Sequence, residues 1–150
     1  MPASVPSAVI LAKALAHPAR LRILGMLRDG PLCVCQMTSV LELAPSTVSA
    51  HLLDLKRGGA VLEQKQGKWV YYRLAEDAAV LSVVSPILAM VEHDARVRQD
   101  GDLVAHVRAV PVEVLCRVGL DLEAVGISRP AAASPDAAGR AGADGKAGPQ

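Results

Sequence analysis

The stretch of chain from residue 45 to 74 constrains the fold most, because a helix signal and a hairpin signal follow each other directly. Apolar residues first recur at i, i+4 and i+7, the spacing of one helix face, at Val48, Leu52 and Leu55. A pair of glycines then ends the helix, and extended runs at 60–65 and 69–74 flank a Gln-Gly-Lys turn. The stretch therefore predicts a helix followed by a β-hairpin with a basic tip.

Helices are also predicted on the N-terminal side of this stretch. Ser7 can cap a helix through Ala16, and Pro18 suits the first turn of a second helix that runs toward Asp29. A Gly-Pro pair then stops the second helix. A short helix over 32–43 and a turn at Ala44-Pro45 precede the helix of 45–57, which gives two short helices joined by a tight turn.

The C-terminal half is predicted to be helical at first and then disordered. Asp77 can cap a helix to about Arg98, which the Asp100-Gly101 pair interrupts, and 103–118 is weakly helical. The apolar run 80–91 suggests a dimer face. Residues 127–150 are mostly Ala, Gly and Pro without periodicity, and this composition predicts disorder.

The composition favours one mainly helical domain. The chain has 150 residues, of which 51% are hydrophobic, but it contains no Phe, so that Leu, Val, Ile and Ala must fill the core. We expect a mainly α fold with a small β-hairpin, a winged helix-turn-helix. The expected organisation is a tail (1–6), a DNA-binding and dimerisation domain (7–100), an extension with Cys116 (101–126) and the disordered tail.

The positive charge of the chain is local. The net charge is +1, yet Lys56, Arg57, Lys65, Lys68 and Arg73 face Glu63 alone within the helix end and hairpin, which is typical of a phosphate-binding surface. No run approaches the roughly 18 apolar residues that cross a bilayer, so we expect a cytoplasmic protein with no membrane partner. No motif of hydrolytic or nucleotide-dependent catalysis is present, which argues against an enzyme.

In a winged helix-turn-helix, the second helix of the pair enters the major groove and the hairpin reaches the flanking backbone. Small and hydroxylated side chains at the exposed start of the helix allow close approach to bases and phosphates. The predicted contacts to double-stranded operator DNA are Pro45, Ser46, Thr47, Ser49, Ala50, Lys56, Arg57, Lys65, Gln66 and Lys68. The alternative is a packing unit with a solvated basic face.

Three ordered strings carry a family resemblance: Ala14-Leu15-Ala16-His17-Pro18-Ala19-Arg20-Leu21-Arg22-Ile23-Leu24, then Val48-Ser49-Ala50-His51-Leu52 with Lys56-Arg57-Gly58-Gly59-Ala60-Val61, and Gly67-Lys68-Trp69-Val70-Tyr71-Tyr72-Arg73-Leu74. The chain resembles the ArsR/SmtB family of metalloregulatory repressors over about residues 8–98. The resemblance implies a homodimer, paired through its first and last helices, that leaves its operator when an inducer binds. Ala44, Pro45 and Ala50 depart from the family pattern, so operator preference does not transfer.

The sequence Cys33-Val34-Cys35 is similar to the motif of the family's arsenite sensors. Soft thiolates select thiophilic ions, and trivalent arsenic or antimony typically takes three sulfurs. The family's usual third thiol is replaced by Thr38, so Cys116, of the same or the partner subunit, is the remaining candidate. The implied inducer is As(III) or Sb(III), with no other cofactor required. A two-thiol site would better suit a trivalent organoarsenical.

The spacing of Cys33 and Cys35 indicates how binding could act. Residues i and i+2 of a regular helix point about 200° apart and cannot readily share one ion. Binding should therefore distort the helix start, and a distortion transmitted to the following helix would release DNA. The alternative for these cysteines, and for Cys116, is burial as small hydrophobic residues.

Other functions remain open at this point. A divalent-metal (Zn/Cd) sensor could use His93 and His106 with Glu92 and Asp94, although the family's dimer-helix ligand spacing is missing. A thiol-redox sensor would use the cysteines directly. A thiol oxidoreductase would normally place its pair in a βαβ setting, and the sequence lacks that alternation.

Overall fold

The computed structural model describes residues 3–131. The helices of this range are α1 (Val5–Leu15), α2 (Pro18–Met26), α3 (Val34–Leu41), α4 (Pro45–Arg57), α5 (Ala78–Val91), α6 (Ala95–Val107) and α7 (Val112–Arg117), with 3-10 turns at Leu27–Asp29 and Glu123–Val125. The strands are β1 (Leu32–Cys33), β2 (Val61–Gln66) and β3 (Trp69–Leu74). A mainly α fold with a small hairpin is confirmed.

Helix α1 begins earlier than Ser7. Ser4 is its N-cap, since the Ser4 hydroxyl accepts from the Ser7 backbone N–H at 3.2 Å. The Ser4 backbone N–H donates in return to the Ser7 hydroxyl at 2.9 Å, which completes a capping box. The predicted cap at Ser7 was therefore wrong by three residues, because the sequence offers two serines at capping-box spacing.

The hairpin is confirmed, and it gains a third strand. Strands β2 and β3 pair antiparallel with Gln66 opposite Trp69, and β1 joins the other edge of β3 with Cys33 opposite Tyr71. The sequence predicted a helix from Leu32, but α3 begins two residues later. The backbone of residues 32–33 is drawn into the sheet by its partner strand, which local periodicity does not reveal.

The break between α5 and α6 lies at residues 92–94, not at Asp100-Gly101 as predicted. Asp94 caps α6 by accepting from the backbone N–H groups of Arg96 and Val97 at 2.8 and 3.2 Å. Asp100 lies inside α6 and is buried, with 2% of its surface exposed. Its carboxylate takes two hydrogen bonds from the Arg22 guanidinium of α2, at 2.7 and 2.8 Å.

The C-terminal extension packs onto the domain. Helix α7 contacts α3, and Leu115, Leu122 and Ile127 are all buried. Arg129 and Pro130 also make hydrogen bonds, to α3 and α6, within the stretch where we expected disorder from residue 127, while 132–150 lie outside the described residues. No single described helix is long and apolar enough to span a membrane; α5 and α6 reach that length and composition only as a pair, which is bent by 103°.

Candidate nucleic-acid interface and thiol site

Helix α4 buries one face and presents its start to solvent. Val48, Leu52 and Leu55 are fully buried, as the i, i+4, i+7 spacing predicts. The first exposed turn and a half of the helix carries Ser46, Thr47, Ser49 and Ala50. Ala44, the N-cap, provides no side-chain hydrogen bond, and Pro45 follows it at the first helical position. The start of α4 therefore presents small hydroxyl groups to solvent, where they can reach a phosphate or a base edge.

The tip of the hairpin is exposed and basic. Gly67 adopts a φ of 60°, the left-handed conformation that the tight turn requires. Lys65, Gln66 and Lys68 are exposed around it, and the Lys68 ammonium lies 5.1 Å from the centre of the Trp69 ring.

The basic residues of this surface fall into two groups. Lys56 is paired with Glu63 at 3.2 Å and Arg73 with Glu76 at 2.6 Å. Arg57, Lys65 and Lys68 make no ion pair with any residue that the structure describes. We expect these three unpaired cations to contribute most to phosphate binding, because no internal carboxylate competes for them.

Glu63 organises the base of the hairpin. The Tyr72 hydroxyl donates to its carboxylate at 2.9 Å. The hydrogen bonds from Tyr72 and Lys56 lower the pKa of Glu63, and burial together with the Glu63 bond raises the pKa of Tyr72 to about 12. Tyr72 thus stays a neutral donor, and Glu63 an acceptor, at physiological pH.

The two histidines of this region are structural. The rings of His17 and His51 pack with centroids 4.4 Å apart. His17 Nδ1 accepts from the Ala19 N–H at 3.0 Å and so caps α2. Burial, reinforced by His17 and Arg20, lowers the pKa of His51, which keeps this ring neutral near pH 7.

Cys33 is the N-cap residue of α3 and also belongs to β1. It is 1% exposed, and its backbone N–H donates to Gln36 Oε1 at 2.9 Å. Burial raises the pKa of its thiol. Cys33 thus occupies the junction between the strand that pairs with the hairpin and the first helix of the DNA-binding pair.

Cys35 and Cys116 form a close pair within one chain. The Cys116 thiol donates to the Cys35 sulfur, with an Sγ–Sγ distance of 2.9 Å, although the residues lie 81 positions apart. Burial, and next the hydrogen bond with Cys35, raise the pKa of Cys116 to about 12. Helix α7 therefore delivers a second thiol to the first turn of α3.

The three cysteines do not yet form a three-ligand site. Among residues 3–131, no three His, Cys, Asp or Glu side chains converge closely enough to hold a metal ion. The arrangement present is a thiol pair of Cys35 and Cys116. Cys33 precedes Cys35 by two residues and is buried. A three-sulfur site would require the Cys33 sulfur to move closer to this pair.

His93 and His106 are not brought together with further ligands. His93 contacts Glu92 at 3.3 Å and Arg98 at 2.8 Å, whereas His106 Nδ1 lies 2.7 Å from the Asp102 carbonyl oxygen of its own helix. Both are exposed side chains with local partners. Their positions give no support to a divalent-metal site within the described residues.

Two arginines near this region were not identified from the sequence. Arg108 donates to the carbonyl oxygens of Gly30 and Pro31, both at 2.8 Å, and fixes the loop ahead of β1. Arg129 donates to the carbonyl oxygens of Ser39 and Val40 at the end of α3. An arginine that binds carbonyl groups nearly 80 or more residues away leaves no local pattern in the sequence.

A helix-turn-helix of α3 and α4, followed by a hairpin wing, defines a winged helix-turn-helix protein. Residues 17–61 match the family described as bacterial regulatory protein, arsR family. Over 66 residues the chain is 44% identical to the arsenic resistance transcriptional regulator ArsR1 of Pseudomonas putida, covering 43% of this chain and 52% of that one. The chain thus spans about half of the length of this curated relative.

Solved structures extend the likeness over the whole domain. HlyU from Vibrio cholerae superposes with a TM-score of 0.53 at 37% identity, covering 60% of this chain and 97% of that chain. The homodimeric winged helix-turn-helix DNA-binding domain of Mb0332 from Mycobacterium bovis superposes with a TM-score of 0.53 at 28% identity, covering 61% and 83%. The chain belongs to the ArsR family of bacterial regulatory proteins.

Proposed function

We propose that this protein is a homodimeric, DNA-binding transcriptional repressor of the cytoplasm that leaves its operator when cysteine thiolates bind trivalent arsenic or antimony. The observation that carries the proposal is the thiol pair of Cys35 and Cys116, because it places a sulfur from α7 beside the Cys33-Val34-Cys35 motif at the start of α3. The arsenic-resistance regulator of Pseudomonas putida among its relatives agrees with this inducer class.

An exposed apolar surface supports dimerisation. Val5 and Val9 of α1 are 79% and 45% exposed, and Val83 and Met90 of α5 are 42% and 84% exposed. Exposed apolar side chains that form one contiguous patch usually mark a protein–protein interface. Homodimerisation of the related Mb0332 domain fits pairing through such helices.

DNA binding is assigned to the start of α4 and the hairpin tip. In a dimer, two such helices read two half-sites about one helical turn apart, and each hairpin contacts the flanking phosphates. Pro45, Ser46, Thr47, Ser49 and Ala50 supply the groove surface. Arg57, Lys65 and Lys68, with Lys56 and Gln66, supply the backbone contacts.

Replacing Lys68 by alanine should weaken binding about equally to specific and random duplexes. If Lys68 contacts one phosphate per protomer, the plot of log K against log salt should lose a slope of about 2 per dimer. The measurement is fluorescence anisotropy of a labelled duplex at several salt concentrations. Arg73→Ala is the matched control, because Arg73 is already paired with Glu76; an unchanged slope in Lys68→Ala would remove the hairpin tip from the interface.

Ligand binding at the thiols can act on DNA through Cys33. Arsenic bound by Cys35 and Cys116 gains a third sulfur only if Cys33 moves, since Cys33 now caps α3 and pairs with Tyr71 across β1 and β3. Its movement would unwind the start of α3 and detach β1 from the hairpin strand. Both changes would alter elements that contact DNA. A ligand that binds the conformation with Cys33 displaced more tightly than the DNA-bound conformation provides the coupling free energy for release.

The inducer class can be tested with a duplex enriched by the protein from a random library. Arsenite, antimonite and phenylarsine oxide are added to the complex, and release is followed by anisotropy. We expect release by all three if Cys35 and Cys116 suffice, and by arsenite and antimonite alone if Cys33 must become the third ligand. Release by cadmium or zinc but by none of these three would overturn the proposal.

A thiol-redox sensor is the second candidate, and the same sulfur pair favours it. A disulfide needs a sulfur separation of about 2.05 Å, so small side-chain movements would bring Cys35 and Cys116 to bonding distance. Hydrogen peroxide would be the oxidant: two thiols are oxidised to one disulfide, and the peroxide is reduced to two waters. Peptide mapping after peroxide treatment should then find a link between Cys35 and Cys116; its absence when peroxide releases DNA would exclude this route.

A further inference from the structure

The chain beyond α7 reverses direction and runs back along α3. Gly119 and Leu120 both adopt left-handed φ values, 67° and 66°, directly after α7. Cys116 lies at the first turn of α3, whereas Arg129 reaches its last turn. The Cys116 contact is at residue 35 and the Arg129 contacts are at residues 39 and 40, so they lie about 6–8 Å apart along the helix. We call residues 119–131 the strap.

The strap is anchored by both apolar and polar contacts. Leu122 and Ile127 are 3% and 8% exposed, and the Ile127 N–H donates to the Leu122 carbonyl oxygen at 2.9 Å. Near its end, Gln99 of α6 donates to the Pro130 carbonyl oxygen at 3.2 Å.

Arg129 supplements the C-cap of α3, Glu42, at the turn between α3 and α4. Its guanidinium donates to the carbonyl oxygens of Ser39 and Val40, which the end of a helix otherwise leaves without partners. Its Nε also lies 3.2 Å from the carboxylate of Glu42. Glu42 is the residue that reverses the chain, with a φ of 57° that side chains other than glycine rarely adopt. Arg129 thus stabilises the turn that sets the angle between α3 and α4.

We propose that the strap holds the helix-turn-helix in its DNA-binding arrangement, with Arg129 as a positioning residue, and that ligand binding at Cys116 loosens it. This inference rests on the proposed function, because it assigns a path from the thiol pair to α4. The path runs through α7 and the strap to the turn, and it is separate from the path through Cys33. One ligand would then act on both ends of α3.

The test compares Arg129→Ala with wild type on the enriched duplex, with and without saturating arsenite. Without arsenite, we expect the variant to bind DNA about 10-fold more weakly than wild type. Arsenite should then lower the DNA affinity of the variant by a smaller factor than that of wild type, because the strap is already released. A residue with a purely structural role would lower both affinities equally and leave that factor unchanged. Arg117→Ala, exposed on α7, is the control and should behave as wild type.

A second measurement needs no variant. Hydrogen exchange of wild-type protein should show faster exchange at amides of residues 122–129 and at the turn of residues 42–44 when arsenite is bound. Release of DNA with unchanged exchange at 122–129, or an unchanged arsenite factor in Arg129→Ala, would overturn the strap proposal. Failure of wild type itself to bind the duplex or to respond to arsenite would instead overturn the proposed function.

Discussion

Cys35→Ser should raise the arsenite concentration that releases half of the DNA by at least roughly 100-fold, the loss expected when a site of two or three thiolates loses one ligand. Cys35 has the largest predicted effect because both versions of the site include it: it pairs with Cys116 at 2.9 Å and follows Cys33 by two residues. DNA affinity without arsenite should remain close to that of wild type, since serine is nearly the same size as cysteine and the substitution leaves every predicted DNA-contacting residue in place.

The other two cysteines separate the possible ligand sets. Cys116→Ser should weaken the response to arsenite and to phenylarsine oxide, whereas Cys33→Ser should weaken the response to arsenite alone if the organoarsenical uses only the pair. The readout is sulfur-arsenic absorption together with anisotropy of the labelled duplex. An unchanged arsenite response in Cys33→Ser and Cys35→Ser would remove the thiol site from the mechanism.

Asp100→Ala should lower the free energy of unfolding by about 3–5 kcal/mol, the usual result of leaving one charge of a buried ion pair without its partner. The Asp100 side chain is 3% exposed and the Arg22 side chain 17% exposed, so water cannot readily replace the lost carboxylate. This pair joins α2 to α6, and its loss should loosen the whole C-terminal half. Urea unfolding at one fixed protein concentration measures the change, because the proposed dimerisation would make stability depend on concentration.

The neighbouring residue Asp102 provides the control. Asp102→Ala removes a carboxylate from the same helix, but this residue is exposed and makes no ion pair with the residues described, so its effect should stay within about 0.5 kcal/mol. The double variant Arg22→Met with Asp100→Leu should recover much of the stability, because it removes both charges together. A similar loss in Asp100→Ala and Asp102→Ala would show that the buried pair is not what holds α6.

The parts of the fold that follow from local sequence were predicted well. Helix α4 and the hairpin were identified because Val48, Leu52 and Leu55 repeat at helical spacing and because glycines bound the next elements. The motif around Cys33 and Cys35 was recognised by its resemblance to the motif of the family's arsenite sensors. All of these signals lie within a few residues of the structure that they specify.

Apart from the N-cap of α1, where Ser4 and Ser7 are both locally suitable, the errors concern features that depend on distant partners. Asp100-Gly101 has the composition of a turn, yet it lies in a helix because Arg22, 78 residues earlier, stabilises the carboxylate. Strand β1 exists because β3 offers it a free edge. Cys116 could be named as a candidate, but only the packing of α7 on α3 places it beside Cys35 and in the same chain.

The central claim is that ligand occupancy of the thiols and release of DNA are one coupled event. The most direct test is a single arsenite titration of the protein bound to a labelled duplex, in which sulfur-arsenic absorption and anisotropy are recorded together. We predict that both signals change in parallel and reach their end points at one arsenic per chain. Saturation of the absorption while the duplex stays bound would contradict the claim.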